Sequence, residues 1–485
     1  MGRFLRALVP TVLALSVAIP CFAQKVPSEA WMGIYVGKMK LGWSRFYADK
    51  CEFEGKPAYR LESSSHIKAP VLGTEVEQKI EMTVYLGSAF EPVYETFKTS
   101  SAGYSMNVTA RFKPTEIVAE TDSEGKKTTK TIPIPPGSKL FVEDSSFLSQ
   151  TMKLKVGDKR SFKSFNPLTL TLDDIEIEVL RDEDIMMDGE RHSCQVIKST
   201  TPLGDATSWQ KVGGDLLKIE TSMGITMVRE PKGVAQSLES ASGEYVPSSD
   251  FAVLTSAKTK TKIAQPREVK YLKIRLIGFD DKTAVISDSR QKATFHKGDP
   301  NVAEYVITAS DFDPSKAVSL PMNTAGMDEF LAPSQYIEPD DPEIKSASEQ
   351  IVGNEKNAFR AASRIRDWVE TNVQTKGDIG LIRNSTDILR SRSGVCRDYA
   401  VLYAALARAA GIPTKIVAGM MYFREGFYYH AWAESFVGEW IPMDPTLSTD
   451  FVDATHIKLN EGDALAMFKA VKAVGKLKAE VVEFK

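Results

Sequence analysis

The chain has 485 residues, 42% of them hydrophobic and 26% charged, with a net charge of -3. That length suffices for two to four domains with substantial cores. The balanced charge, without a basic block, excludes nucleic acid as the main partner, because phosphate binding needs clustered Lys and Arg.

Residues 1–23 read as an export signal. Arg3 and Arg6 precede an apolar run from Ala7 to Pro20 that is too short to span a bilayer stably. Cys21 and Ala23 supply the small residues of a cleavage site before Gln24. The expectation is an exported protein, periplasmic if bacterial and secreted otherwise, with no stable membrane span after cleavage. Cleavage leaves Cys51, Cys194 and Cys396. Export favours paired cysteines, but three cannot all pair. A bridge between Cys51 and Cys194 and no bridge at all stay equally open. In both cases Cys396 is the odd thiol.

Residues 24–250 carry short alternating segments broken by turns. "WMGIYVGKMKLGWSRFY" reads as two strands around a Gly37-Lys38 turn, with Gly first, as a type II′ hairpin prefers. "EVEQKIEMTVYL", "YSMNVTARF" and "TLTLDDIEIEVL" continue the alternation, and "DLLKIETSMGITMVRE" supplies a last strand pair. The expectation is a large, curved antiparallel sheet. Residues 135–160 read as a loop or short helix crossing it. Residues 235–268, rich in Ser, Thr, Lys and Ala, mark a linker and a change of domain. Residues 251–332 form a small β or linker domain, with strands in "VKYLKIRLIGF", "TAVISD" and "AEYVITA".

Residues 333–485 open with helices. Pro342 begins one, and Gly353 divides the block into two. "STDILRSRSG" is a short helix with Ser385 or Thr386 as N-cap. "CRDYAVLYAALARAAGIP" is a longer one, stopped by Gly411 and Pro413. Strands follow in "TKIVAGMMYF", "GFYYHAWAESFV" and "EWIPMD". This third domain is α+β, a central helix on an antiparallel sheet.

Chemistry concentrates in that domain. Cys396 sits in the first turn of its helix, where unsatisfied N–H groups favour a thiolate. A lone cysteine is more often a small core residue, and a strand histidine a satisfied polar group. Here they occur together. His430 lies on the second strand after the helix, where an imidazole could take the thiol's proton. Asp444 lies one strand later and could fix the imidazole's tautomer. Strand alternation sets a condition on this triad. A two-residue hairpin turn would put Asp444 on the face away from His430. A three-residue loop, Val437 to Glu439, pairs Phe436 with Trp440 and brings Asp444 to the same face. A three-residue loop or a bulge is therefore expected between Phe436 and Ile441.

"SGVCRDYAVLYAALARAAGIPTKIVAGM" and "YYHAWAESFVGEWIPMDPT", with the lead-in "AASRIRDWVETNV", resemble the transglutaminase-like superfamily in its bacterial exported branch. The resemblance covers roughly residues 333–450. It implies a papain-like core with Cys396 as nucleophile, His430 as general base and acid, and Asp444 as orienting acid. The family's oxyanion hole uses the nucleophile's own N–H and an upstream group, which is not placed here. Relatives often carry an aromatic where this chain has "VQTKGDIG". The N-terminal half is similar to half-barrel lipoprotein-carrier folds, in which a sheet curves around an apolar groove.

The resemblance implies cleavage or transfer of an amide acyl group through a Cys thioester, with hydrolysis favoured. The partner is a peptide or protein amide, with the cell envelope as one source. The rival reading is an inactive papain-like module that binds peptide or envelope glycan, with the β half as scaffold or apolar-ligand cup. No cofactor or metal is expected. Asp280-Asp281 and Asp340-Asp341 lack the alternating ligands of a calcium loop, and no Cys and His group has zinc spacing.

Overall fold

The computed structural model of the protein describes residues 28–71, 74–101, 103–142, 154–202, 204–211, 214–222, 224–237, 255–279, 285–376, 383–449, 451–464, 467 and 475–485. The expected signal, the middle of the 135–160 crossing segment and the pair Asp280-Asp281 lie outside the described residues. The chain divides into two compact units, with the main boundary at residue 250. Among the described residues, no helix is long and apolar enough to cross a membrane.

Among the described residues, the first unit is one sheet of fourteen strands. They are β1 (Ser28–Val36), β2 (Met39–Phe53), β3 (Lys56–Val71), β4 (Thr74–Leu86), β5 (Pro92–Ser101), β6 (Tyr104–Phe112) and β7 (Glu116–Ser123). Then come β8 (Lys126–Pro133), β9 (Lys159–Asn166), β10 (Thr171–Met187), β11 (Glu190–Thr201), β12 (Gly204–Lys211), β13 (Leu216–Thr221) and β14 (Ile225–Arg229). The first eight and the last six each run as a meander, and β1 pairs with β14 to join them. The β1–β2 turn is Gly37-Lys38, with Gly37 at φ 57°, as the hairpin chemistry requires.

Along β5 and β6, residues alternate between buried and more exposed, so one face of the sheet is dry. The one described helix against this sheet is the single turn α1 (Lys232–Gln236), on β1 and β2. The sheet therefore covers its own apolar face by curling. Phe112 of β6 meets Phe165 of β9 edge-on, 5.9 Å between ring centroids, although eleven places separate these strands in sheet order. Cys51 and Cys194 are both free thiols. Their strands, β2 and β11, stand five places apart, roughly 24 Å along the sheet, beyond disulfide reach.

The second unit holds two larger sheets and a helical layer. Its small sheet comprises β16 (Tyr271–Ile277), β17 (Gln291–His296) and β18 (Asp299–Thr308), completed by β25 (Lys478–Phe484) from the end of the chain. Its other sheet contains β21 (Thr414–Phe423), β22 (Gly426–Phe436), β23 (Trp440–Met443) and β24 (His456–Gly462), edged by β15 (Ala257–Lys258). A division at residue 332 thus falls inside one unit, because β15 and β25 each pair with strands far away in sequence. "TAVISD" does not supply the expected strand among its described residues. Asp288 instead accepts the N–H groups of Arg290 and Gln291, which turns the chain into β17.

The helices are α2 (Pro342–Val352), α3 (Ala358–Asn372), α4 (Ser385–Ser391) and α5 (Cys396–Ala409). Asp341 caps α2 through the Glu343 N–H, and Gly353, at φ 59°, ends it before α3. The N-cap of α4 is Asn384 rather than Ser385 or Thr386. The Thr386 hydroxyl and N–H donate to Glu338 at 2.7 and 3.2 Å, which draws both residues into the first turn. Helix α5 lies at the centre, packed against α2, α3, α4 and the strands β21 and β22. Cys396 to Arg408 are all buried, a burial that encloses the helix on every side rather than along one stripe.

Candidate active site

Cys396 is the first residue of α5 and is fully buried. Its approach is fixed by backbone chemistry. Asp398, two residues on, accepts the Val395 N–H at 2.8 Å and pairs with Arg383 at 3.3 Å. Gly394 must be glycine, because a Cβ there would lie 2.5 Å from the Asp398 Cβ. The two-residue strand β20 (Ser393–Gly394) pairs in parallel with β19 (Gln374–Thr375), and Tyr399 of α5 donates to the Val373 carbonyl at 2.6 Å. The segment upstream of the helix is thereby tied to the turn that presents the thiol. Of "VQTKGDIG", only Val373 to Lys376 are among the described residues.

His430 lies on β22 opposite Gly419 of β21. A Cβ at Gly419 would sit 2.0 Å from the Ile457 carbonyl and 2.7 Å from the Trp432 ring, so glycine lets β24 and that indole close over this part of the sheet. Trp432 stacks against the His430 ring at 6.0 Å. The hairpin that follows has the register of a three-residue loop, with Phe436 opposite Trp440 and Ala433 opposite Met443. Gly438, at φ 120°, makes the turn. This register brings Asp444 diagonally across to His430, and Asp444 Oδ2 lies 2.7 Å from His430 Nε2.

Electrostatics bind the three groups together. Burial opposes a charge on His430, but the Asp444 charge and hydrogen bond outweigh it, and an interaction with the Cys396 thiol adds to them. The imidazole is raised to about 9. Asp444 is likewise buried, and the two imidazoles beside it hold its carboxyl well below the usual range. With Nε2 taken by Asp444, the nitrogen left for Cys396 is Nδ1, which has no partner at ordinary hydrogen-bond distance.

Sequence reading did not find the rest of the site. His456 of β24 brings its Nε2 to 3.1 Å from the same Asp444 oxygen. The other oxygen of Asp444 accepts the N–H and hydroxyl of Thr446 at 2.9 and 2.7 Å. His456 Nδ1 lies 3.2 Å from Asp453 Oδ2, which in turn pairs with Arg267 at 2.8 Å. Arg290 anchors the His456 backbone, donating to its carbonyl at 2.7 Å. A hint was available, since this chain has five histidines and His456 follows Asp444 by only twelve residues. The His430, Asp444 and His456 donor atoms lie within 4.8 Å of one another, a set that could hold a metal ion. In the described arrangement both imidazole Nε2 atoms are engaged by the carboxylate.

Residues 345–445 match the family model of the transglutaminase-like superfamily. An uncharacterised protein of Mycobacterium leprae is 27% identical over 137 residues, which cover 26% of this chain and 48% of that protein. The chain thus spans about half the length of that relative. A candidate cysteine protease from Cytophaga hutchinsonii is similar over 45% of this chain and 86% of its own, at 19% identity and a TM-score of 0.32. A β-barrel-like protein of a domain of unknown function from Brucella abortus is similar over 42% of this chain and 95% of its own, at 10% identity and a TM-score of 0.32.

Proposed function

Because residues 345–445 form a transglutaminase-like domain, we propose that the protein is an exported cysteine enzyme that cleaves or transfers an amide acyl group through a thioester on Cys396. The observation that carries this reading is the Asp444–His430 pair at 2.7 Å, which leaves His430 Nδ1 unpartnered, with Cys396 at the start of α5. Export rests on the character of residues 1–23.

In this reading His430, raised to about 9, already holds the Cys396 proton on Nδ1 when sulfur attacks the amide carbon. The C–N bond breaks, and the leaving amine takes that proton. Water then attacks the thioester, gives a proton to His430 and releases the acid and the thiolate. Asp444 holds the ring so that Nδ1 faces sulfur and stabilises the imidazolium. An amine in place of water would give cross-linking, and hydrolysis is the outcome favoured here. The substrate is a peptide or protein amide of the envelope.

The test is an electrophilic peptide-amide probe on the full chain, read by intact mass. A single adduct on Cys396, absent in Cys396→Ser and His430→Ala, supports the enzyme. The complete burial of Cys396 favours a second reading, a binding module with a sequestered thiol. No adduct in the native fold, with full labelling after unfolding, would select that reading instead.

A further inference from the structure

Among the described residues of the first unit is a buried acid with no partner. Glu95 projects from β5 on the dry face of the sheet, 5% exposed. Its Oε1 has no hydrogen-bond partner, and burial alone pushes the carboxyl up to about 8, with no neighbouring charge acting on it. It lies three residues into β5, about 10 Å from the strand's start and so near the rim of the sheet. Its neighbours across the sheet are Val84 on β4 and Ala110 on β6, and beyond that Ala119 on β7. The row ends at Lys130 on the edge strand β8, exposed and three strands away, roughly 14 Å.

Glu95 is not an isolated defect. Thr99 and Ser101 follow it on the same face of β5, and Gln78 stands opposite Ser101. The Thr99 hydroxyl, Ser101 hydroxyl and Gln78 carbonyl oxygen are buried without partners as well. A sheet that needed only a dry core would be more stable with apolar side chains at these positions, since each unpaired polar group costs free energy on burial. The Gln78 oxygen can only accept, and so can the Glu95 carboxyl once it ionises, so a ligand that ionises it must donate. A carboxylate without a cation beside it also needs positive charge. An ammonium supplies three donors and that charge together. Between the polar positions the face is apolar, with Ile80, Val84, Phe97 and Val108 all buried.

We propose that the dry face of this sheet binds an aliphatic primary amine, its ammonium on Glu95 and its hydrocarbon along Val84, Phe97 and Val108. The site is independent of the thiol chemistry and stands or falls without it.

Calorimetry on the full chain with decylamine and decanol tests this directly. The amine should bind at least about tenfold more tightly than the alcohol, because only it forms a charge-assisted bond. Binding should release protons as Glu95 ionises, read from the dependence of the heat on buffer. Glu95→Gln should erase the preference while raising the melting temperature, since a site kept for function is relieved when its acid is removed. Ala110→Leu, which puts a larger side chain directly opposite the acid, should weaken amine binding with Glu95 intact. Equal binding of amine and alcohol overturns the proposal. So does a preference that survives Glu95→Gln, or a Glu95→Gln variant that melts lower, which would assign the carboxyl to the fold.

Discussion

Two of the buried carboxyls, one in each unit, behave oppositely. Glu95 in the fourteen-stranded sheet is raised to about 8 by burial, while Asp444 in the α+β unit is held well below the usual range despite equal burial. The difference lies in the donors. Asp444 has two imidazoles on one oxygen and the Thr446 N–H and hydroxyl on the other. Glu95 has none on Oε1. Burial sets the cost of a charge, and the neighbours decide whether the charge stays. A carboxyl surrounded by donors keeps its charge on burial, and one without them keeps its proton.

The contrast breaks most severely at Asp444. Asp444→Asn should lower turnover, or the rate of Cys396 labelling, by about 10³–10⁴-fold, because the His430 tautomer is no longer held. Circular dichroism should show the fold retained. Full activity in this variant would mean that the short His430–Asp444 bond serves structure alone.

His456 comes next. His456→Ala removes one of the two imidazoles on Asp444 and leaves Asp453 with Arg267 and Thr455. Losing a hydrogen bond to a charged group costs about 1.5–3 kcal/mol, so turnover should fall roughly 10–100-fold. His456→Gln, which can still donate, should recover part of it. The pH profile separates this role from mere packing. It should shift in His456→Ala, since His430 then shares Asp444 with no second ring.

The pH dependence of stability sharpens the comparison further. Glu95 has its folded value raised from 4.5 to about 8, so the folded state holds the proton better. The first unit should be most stable below pH 4.5 and lose stability as pH rises towards 8. Asp444 has its folded value depressed, so its contribution is present above about pH 4 and lost as pH falls below that. His430, raised from 6.5 to about 9, stabilises fully below pH 6.5 and loses its contribution as pH rises through 9. Thermal melts from pH 4 to 9 should therefore show both units strengthened as pH falls, the first through Glu95 and the second through His430, with the Asp444 contribution lost only below about pH 4. Glu95→Gln should flatten the first trend and raise the melting temperature at pH 8 by about 2–8 °C. An unchanged trend in that variant would remove Glu95 from the account.

The smallest effect expected is at Tyr403, whose hydroxyl meets Ser435 of β22 at 2.8 Å beneath the site. Tyr403→Phe should cost about 1 kcal/mol of stability and leave Cys396 labelling unchanged. A large loss of labelling would show that the packing of α5 on the sheet, and not the triad alone, sets the thiol's position.

Much of the architecture was legible in local chemistry. Period-two alternation and Gly37-Lys38 announce the hairpins, and Asp341, Pro342 and Gly353 punctuate the helices, because these signals act over a few residues. The thiol, His430 and Asp444 stand out for the same reason, each at a helix start or on an evident strand. Alternation even fixed the condition for Asp444 to reach His430, since one residue in the loop decides the face. What local chemistry could not reveal depends on contacts distant in sequence. His456 reaches Asp444 because β24 pairs with β21, and β25 completes a sheet begun two hundred residues earlier. Glu95 reads in sequence as an ordinary polar position on an alternating strand, and only the curling of the sheet over itself makes it a buried acid without a partner.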